Sequence, residues 1–68
     1  MNDDIFNMSI RQFLKMLGIS SQSEIELAVS QAIAKGHLKG NEKLPVKMML
    51  TIGAVHLEVG FDGLIQLG

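Results

Sequence analysis

The stretch Val46 to Val59, VKMMLTIGAVHLEV, restricts the folds open to this chain more than any other. Gly53 can take the positive φ that opens a type II′ turn, so the stretch reads as two strands folded about Gly53-Ala54. That turn pairs Ile52 with Val55, Leu50 with Leu57, Met48 with Val59 and Val46 with Phe61, each pair apolar on both sides. The opposite face receives Lys47, Met49 and Thr51 from one strand and His56 and Glu58 from the other. An oily face backed by a mixed one is the pattern of a sheet covered by helices on one side. The rest of the chain is expected to supply that cover.

Two helices are predicted ahead of the hairpin. Asn2 can cap the first, with Asp3 and Asp4 well placed in its opening turn. Phe6, Ile10, Phe13, Leu14 and Leu17 recur at helical spacing, and Gly18 is placed to end the helix, giving residues 3–17. Ser21-Gln22-Ser23-Glu24 has the form of a capping box and opens a second helix over 22–35. Its inner stripe is Ile25, Ala28, Val29, Ala32 and Ile33, and Gly36 terminates it. The short link through Gly18–Ser20 makes the pair an αα-hairpin.

In HLKGNEKLP, Gly40-Asn41 signals a turn and Pro45 forces Leu44 extended, with Leu38 and Leu44 as anchors under the loop. Beyond the hairpin, Phe61-Asp62-Gly63 fits a three-residue loop into a last strand, with Ile65 and Leu67 turned toward the helices and Leu64 outward. A two-residue Asp62-Gly63 turn would invert that strand. The expected fold is therefore α+β: an N-terminal αα-hairpin on one face of a three-stranded antiparallel meander. The strands fall at about 46–52, 55–60 and 64–67, all within one domain of residues 1–68.

Composition narrows the functional classes. A chain of 68 residues buries only about 60% of its extended surface, so its own core is marginal. It has no cysteine, which removes disulfides and thiolate metal sites and fits a reducing compartment. Hydrophobic residues make up 47% and charged ones 19%, too apolar for a disordered chain and suggestive of surface shared with a second copy or another protein. Net charge is −1, with no global pull toward nucleic acid or an anionic membrane. The opening MNDDIFN lacks the basic start and apolar run of a signal peptide, and no window approaches the roughly eighteen apolar residues of a spanning helix. A soluble cytoplasmic protein is expected.

The chemistry-bearing residues are sparse. His56 and Glu58, two apart on one predicted strand, could ligate a metal or share a proton, but two ligands do not make a site. His37 follows the Gly cap of the second helix, where a cation suits the dipole. No serine sits in a nucleophile elbow, no paired carboxylates fall in an apolar setting, and GHLKG lacks the helix a phosphate loop needs. No catalytic residue, metal, cofactor or small-molecule substrate is expected. Lys35, Lys39, Lys43 and Lys47 recur every four residues and could hold phosphates, though Gly36, Gly40 and Pro45 prevent one continuous basic helix.

FLKMLGISSQSEIELAVSQAI has the outline of a helix-turn-helix with a wing behind it, which makes a nucleic-acid-binding regulator the alternative. Gln22, Glu24 and Glu26 at the would-be reading end disfavour it, because carboxylates there repel phosphates. The favoured reading is a small non-enzymatic binding or accessory module acting as a homodimer or on another protein. Its interaction surface is expected on the outer sheet face, Lys47, Met49, Thr51, His56, Glu58 and Leu64, or at an open strand edge.

The opening MNDDIFNMSIRQFLK, the segment ISSQSEIELAV and the loop GNEKLP together resemble a small family of uncharacterised proteobacterial proteins of about this length. The resemblance spans most of residues 1–45 and weakens over the hairpin. Such relatives tend to show a longer, more acidic turn near the last strands than the LEVGFDG found here. The resemblance implies a cytoplasmic bacterial protein without an assigned activity, and it carries over no catalytic residue.

Overall fold

A computed structural model describes all of residues 1–68. The elements run α1 (Asp3–Ala34), β1 (Lys43–Ile52), a 3-10 turn (Gly53–Val55) and β2 (Leu57–Gln66). They form two compact units, Met1–His37 and Leu38–Gly68.

The first unit is one helix, and the predicted αα-hairpin of 3–17 and 22–35 is corrected to it. Its start is as expected: the Asn2 side-chain oxygen accepts from the Ile5 N–H at 3.1 Å, with Asp3 and Asp4 in the first turn. Its end is a Schellman motif. The His37 N–H donates to the Ala32 carbonyl at 2.8 Å and the Gly36 N–H to that of Ile33 at 3.0 Å, with Gly36 at φ +80.

The expected break fails for a physical reason. Gly18 keeps a negative φ, and glycine inside a helix costs only about 1 kcal/mol relative to alanine, too little to stop propagation. The capping box does not form either. Residues 21–24 are helical, and Gln22 donates forward to Glu26 at 3.0 Å, a pair one turn apart that supports continuation. At 1.5 Å per residue the helix is about 48 Å long. The helix-turn-helix outline goes with the break: there is no turn at Gly18.

The second unit is a two-stranded antiparallel sheet in place of the predicted three strands. Ten residues of β1 pair with ten of β2, from Lys43 opposite Gln66 to Ile52 opposite Leu57. The turn is longer than the expected two-residue Gly53-Ala54 loop. Gly53–Val55 makes a 3-10 turn closed by His56 in the left-handed region at φ 54, its N–H donating to the Gly53 carbonyl at 3.2 Å.

The pairing is accordingly two residues from the expected one: Ile52 faces Leu57, Leu50 faces Val59, Met48 faces Phe61 and Val46 faces Gly63. A shift of two leaves each side chain that stays in the ladder on its expected face, because strand periodicity is two, while Val55 and His56 pass into the turn. It also sets Lys47 opposite Asp62, and opposite charges across a ladder are favourable.

No turn forms at Phe61-Asp62-Gly63. The longer loop sets Asp62 and Gly63 opposite Lys47 and Val46, and β1, which begins at Lys43, three residues before the predicted start, offers partners to Leu64, Ile65 and Gln66. Those ladder bonds outweigh the local turn preference, and β2 runs straight through Gly63. Pro45 lies opposite Leu64, a position where its missing N–H costs no bond to β2.

Candidate functional site

The loop joining the units is organised by one carboxylate. Glu42 accepts the N–H of Lys39 at 2.8 Å, of Gly40 at 2.9 Å and of Asn41 at 3.1 Å. Gly40 reaches φ +105, which turns these successive amides toward one point. The Lys39 N–H first, then that of Gly40, hold the Glu42 carboxyl below its ordinary pKa, opposed in part by desolvation. The Glu42 carbonyl accepts from the Leu67 N–H at 2.9 Å, so the same residue extends the β ladder by one pair. This role was not foreseen. Its signal is a Gly-Asn-Glu run that carries its own amide donors and acceptor.

The hairpin presents two unlike faces. Leu44, Val46, Met48, Leu50 and Ile52 of β1 share a face with Leu57, Val59, Phe61 and Ile65 of β2. The other face carries Lys47, Met49 and Thr51 with Glu58, Asp62 and Leu64. Five of the six residues expected on the interaction surface are therefore together: Thr51 lies opposite Glu58, Met49 opposite Gly60 and Lys47 opposite Asp62, with Leu64 beyond.

On that face the Lys47 and Met49 side chains lean over Gly60. A Cβ there would stand 3.2 Å from Lys47 Cε and 3.2 Å from Met49 Sδ. His56 is the exception. It sits in the turn, not on a strand beside Glu58, because the longer loop removes it from the ladder. No three His, Asp or Glu side chains gather at one place. Lys39, Lys43 and Lys47 belong to the hairpin unit and Lys35 to the helix end, with Lys43 and Lys47 on the mixed face of β1.

No residue of the chain is buried. On the sheet's apolar face Phe61 is 57% exposed, and on the helix Ile5, Phe6, Phe13, Leu14, Met16, Ile19 and Leu27 are all exposed. The least exposed helix positions, Leu17, Ser21, Ile25, Val29 and Ala32, run as one stripe at steps of four and three. No helix is long and apolar enough to cross a membrane.

These features define a small α+β chain, one long helix and a two-stranded antiparallel sheet, with exposed apolar side chains on both. The chain matches, over residues 1–68, the model of a family of unknown function (DUF6494), and it belongs to that family. No curated protein and no solved structure matches it.

Proposed function

We infer that the chain is a non-enzymatic module that works by association, with a second copy of itself as the partner. The observation that carries this is the lack of any buried residue in a chain that is 47% hydrophobic. Neither unit is an independent fold by ordinary standards. A lone helix takes most of its stability from packing an apolar face, and a lone two-stranded hairpin is marginal in water.

Each unit by itself supports the same reading: the helix leaves Phe6, Phe13, Leu14 and Leu27 exposed and the hairpin leaves Met48, Leu57 and Phe61 exposed, apolar surface of the kind that self-association covers.

Sedimentation across the micromolar range, with thermal melting at each concentration, tests the inference. A dimer mass and a melting temperature that rises with concentration are expected. A monomer mass with a concentration-independent melt overturns it. Resemblance of the opening, capping and GNEKLP segments supports a proteobacterial origin and a cytoplasmic location, and cell fractionation with an antibody to the chain tests the latter.

A further inference from the structure

We propose that the two copies join along the free edge of β2, antiparallel and two-fold about Phe61, to make one four-stranded sheet in the order β1-β2-β2-β1. This rests on the self-association just inferred and specifies its seam.

The bonding pattern decides which peptide groups are free. The Leu67 N–H bonds the Glu42 carbonyl, and partners in an antiparallel ladder alternate between bonded and non-bonded pairs. Leu44, Val46, Met48, Leu50 and Ile52 therefore spend their peptide groups on β2. Lys43, Pro45, Lys47, Met49 and Thr51 aim theirs outward from β1, as Glu58, Gly60, Asp62, Leu64 and Gln66 do from β2.

The two edges differ. On β1 the outward row is broken by Pro45, which has no N–H, with a lysine two residues to either side, the features that blunt an edge against pairing. On β2 all five outward residues keep their donors. A second β2 laid there raises the sheet to four strands, past the number at which sheets become independently stable. It also continues the apolar face without a break.

Charge and strand overlap together select the register: a centre at Val59 would pair only residues 57–61, whereas Phe61 lies at the middle of β2 and pairs 57–65. Centring the two-fold on Gly60 sets Glu58 opposite Asp62 of the second copy, and centring it on Asp62 sets that residue opposite itself. Like charges directly opposed are unfavourable. Centring on Gly63 leaves no side chain at the axis. With the axis at Phe61, the apolar face gains Phe61 opposite Phe61, Leu57 opposite Ile65 and Val59 opposite Gly63. The other face sets Glu58 opposite Leu64 and Gly60 opposite Asp62. The exposed Phe61 rings then cover each other, a pairing aromatic side chains favour.

Two measurements test the seam. Asp62→Pro removes an outward donor and no β1–β2 bond, as Pro45 already does on β1, and is expected to weaken dimerisation at least about tenfold by sedimentation. Met49→Pro, its counterpart on the β1 edge, is expected to leave the dimer intact. Independently of folding effects in the proline variants, Phe61→Cys is expected to form a disulfide-linked dimer under mild oxidation, since a non-bonded antiparallel pair brings Cα atoms to about 4.5 Å. A linked dimer from Gly63→Cys and none from Phe61→Cys overturns the register. A wild-type dimer that survives Asp62→Pro and yields no Phe61→Cys link overturns the seam while leaving self-association standing. A wild-type monomer removes both.

Discussion

The helix and the hairpin solve the problem of unpaired peptide groups in opposite ways. The helix closes itself: Asn2 takes a free amide at one end, and the turn at Gly36 takes the free carbonyls of Ala32 and Ile33 at the other. All of these partners lie within five residues in sequence. The hairpin cannot do this. Its ladder is complete inside, but each strand keeps an outward row of donors and acceptors along its length. Apolar side chains are left open in both units, whereas a row of open backbone along the whole length of an element is a feature of the hairpin alone. A helix can thus be finished by its own sequence, while a two-stranded sheet is finished by something added to it.

The strongest way to break this comparison is to charge the hairpin's apolar face. Leu50→Asp sets a carboxylate among Met48, Ile52 and Val59, on the face that association is inferred to cover, and is expected to cost about 4 kcal/mol and abolish the dimer. Met49→Asp, one residue along and on the mixed face, is expected to change stability by less than about 0.5 kcal/mol. Paired chemical denaturation curves compare the two. Equal costs would mean that the faces are not inside and outside, and would return attention to Lys47, Met49, Thr51, Glu58 and Leu64 as the buried side.

The helix's continuity is tested next. Were there a break before Gln22, that residue would be the first of a new helix, where proline is favoured. In the observed helix Gln22→Pro removes a bond to Gly18 and crowds the preceding turn, costing about 3 kcal/mol. Loss of helical circular dichroism with a lowered melting temperature is expected. A neutral variant would restore the αα-hairpin.

Two glycine substitutions should move stability in opposite directions. Gly36→Ala forces a Cβ into φ +80 and should destabilise by about 1 kcal/mol, although the space around it is open. Gly18→Ala meets nothing within 4 Å and should stabilise the helix by up to about 1 kcal/mol. Destabilisation at Gly18 would count against a helix that runs unbroken and open through that turn.

These tests follow the line between what could and could not be read from the residues. Both helix ends were legible because a cap is a contract among neighbours. The division of hairpin residues between faces was legible because parity survives a shift of two. The false stop at Gly18 and the unused capping box show the converse. Each is a local preference near 1 kcal/mol, set against the uninterrupted hydrogen bonding of a long helix. Phe61-Asp62-Gly63 loses its turn in the same way, to a ladder with Met48, Lys47 and Val46 that residues 43–45 prolong. Register was illegible because loop length sets it, and the residues Gly53 to His56 admit both a two-residue and a four-residue loop. Glu42 escaped notice because it has no periodic or paired signature.

Glu42 also supplies the smallest expected effect, at the point where the two units meet in sequence. Its carboxylate is held by amides of Lys39, Gly40 and Asn41, so its folded pKa lies below the ordinary 4.5. A lowered acid pKa contributes stability above the unfolded value and loses it as pH falls through the folded one. The loop should therefore be unchanged from neutral pH down to 4.5 and loosen only below it. The amide resonances of Lys39, Gly40 and Asn41 report this directly, and Glu42→Gln should erase the step while keeping a neutral acceptor in place. A step centred at or above 4.5 would mean that the carboxylate is not held by those amides in solution. Because the Glu42 carbonyl also starts the ladder at Leu67, loosening should spread first to the open end of the sheet at Lys43 and Gln66, and leave the turn at His56 for last.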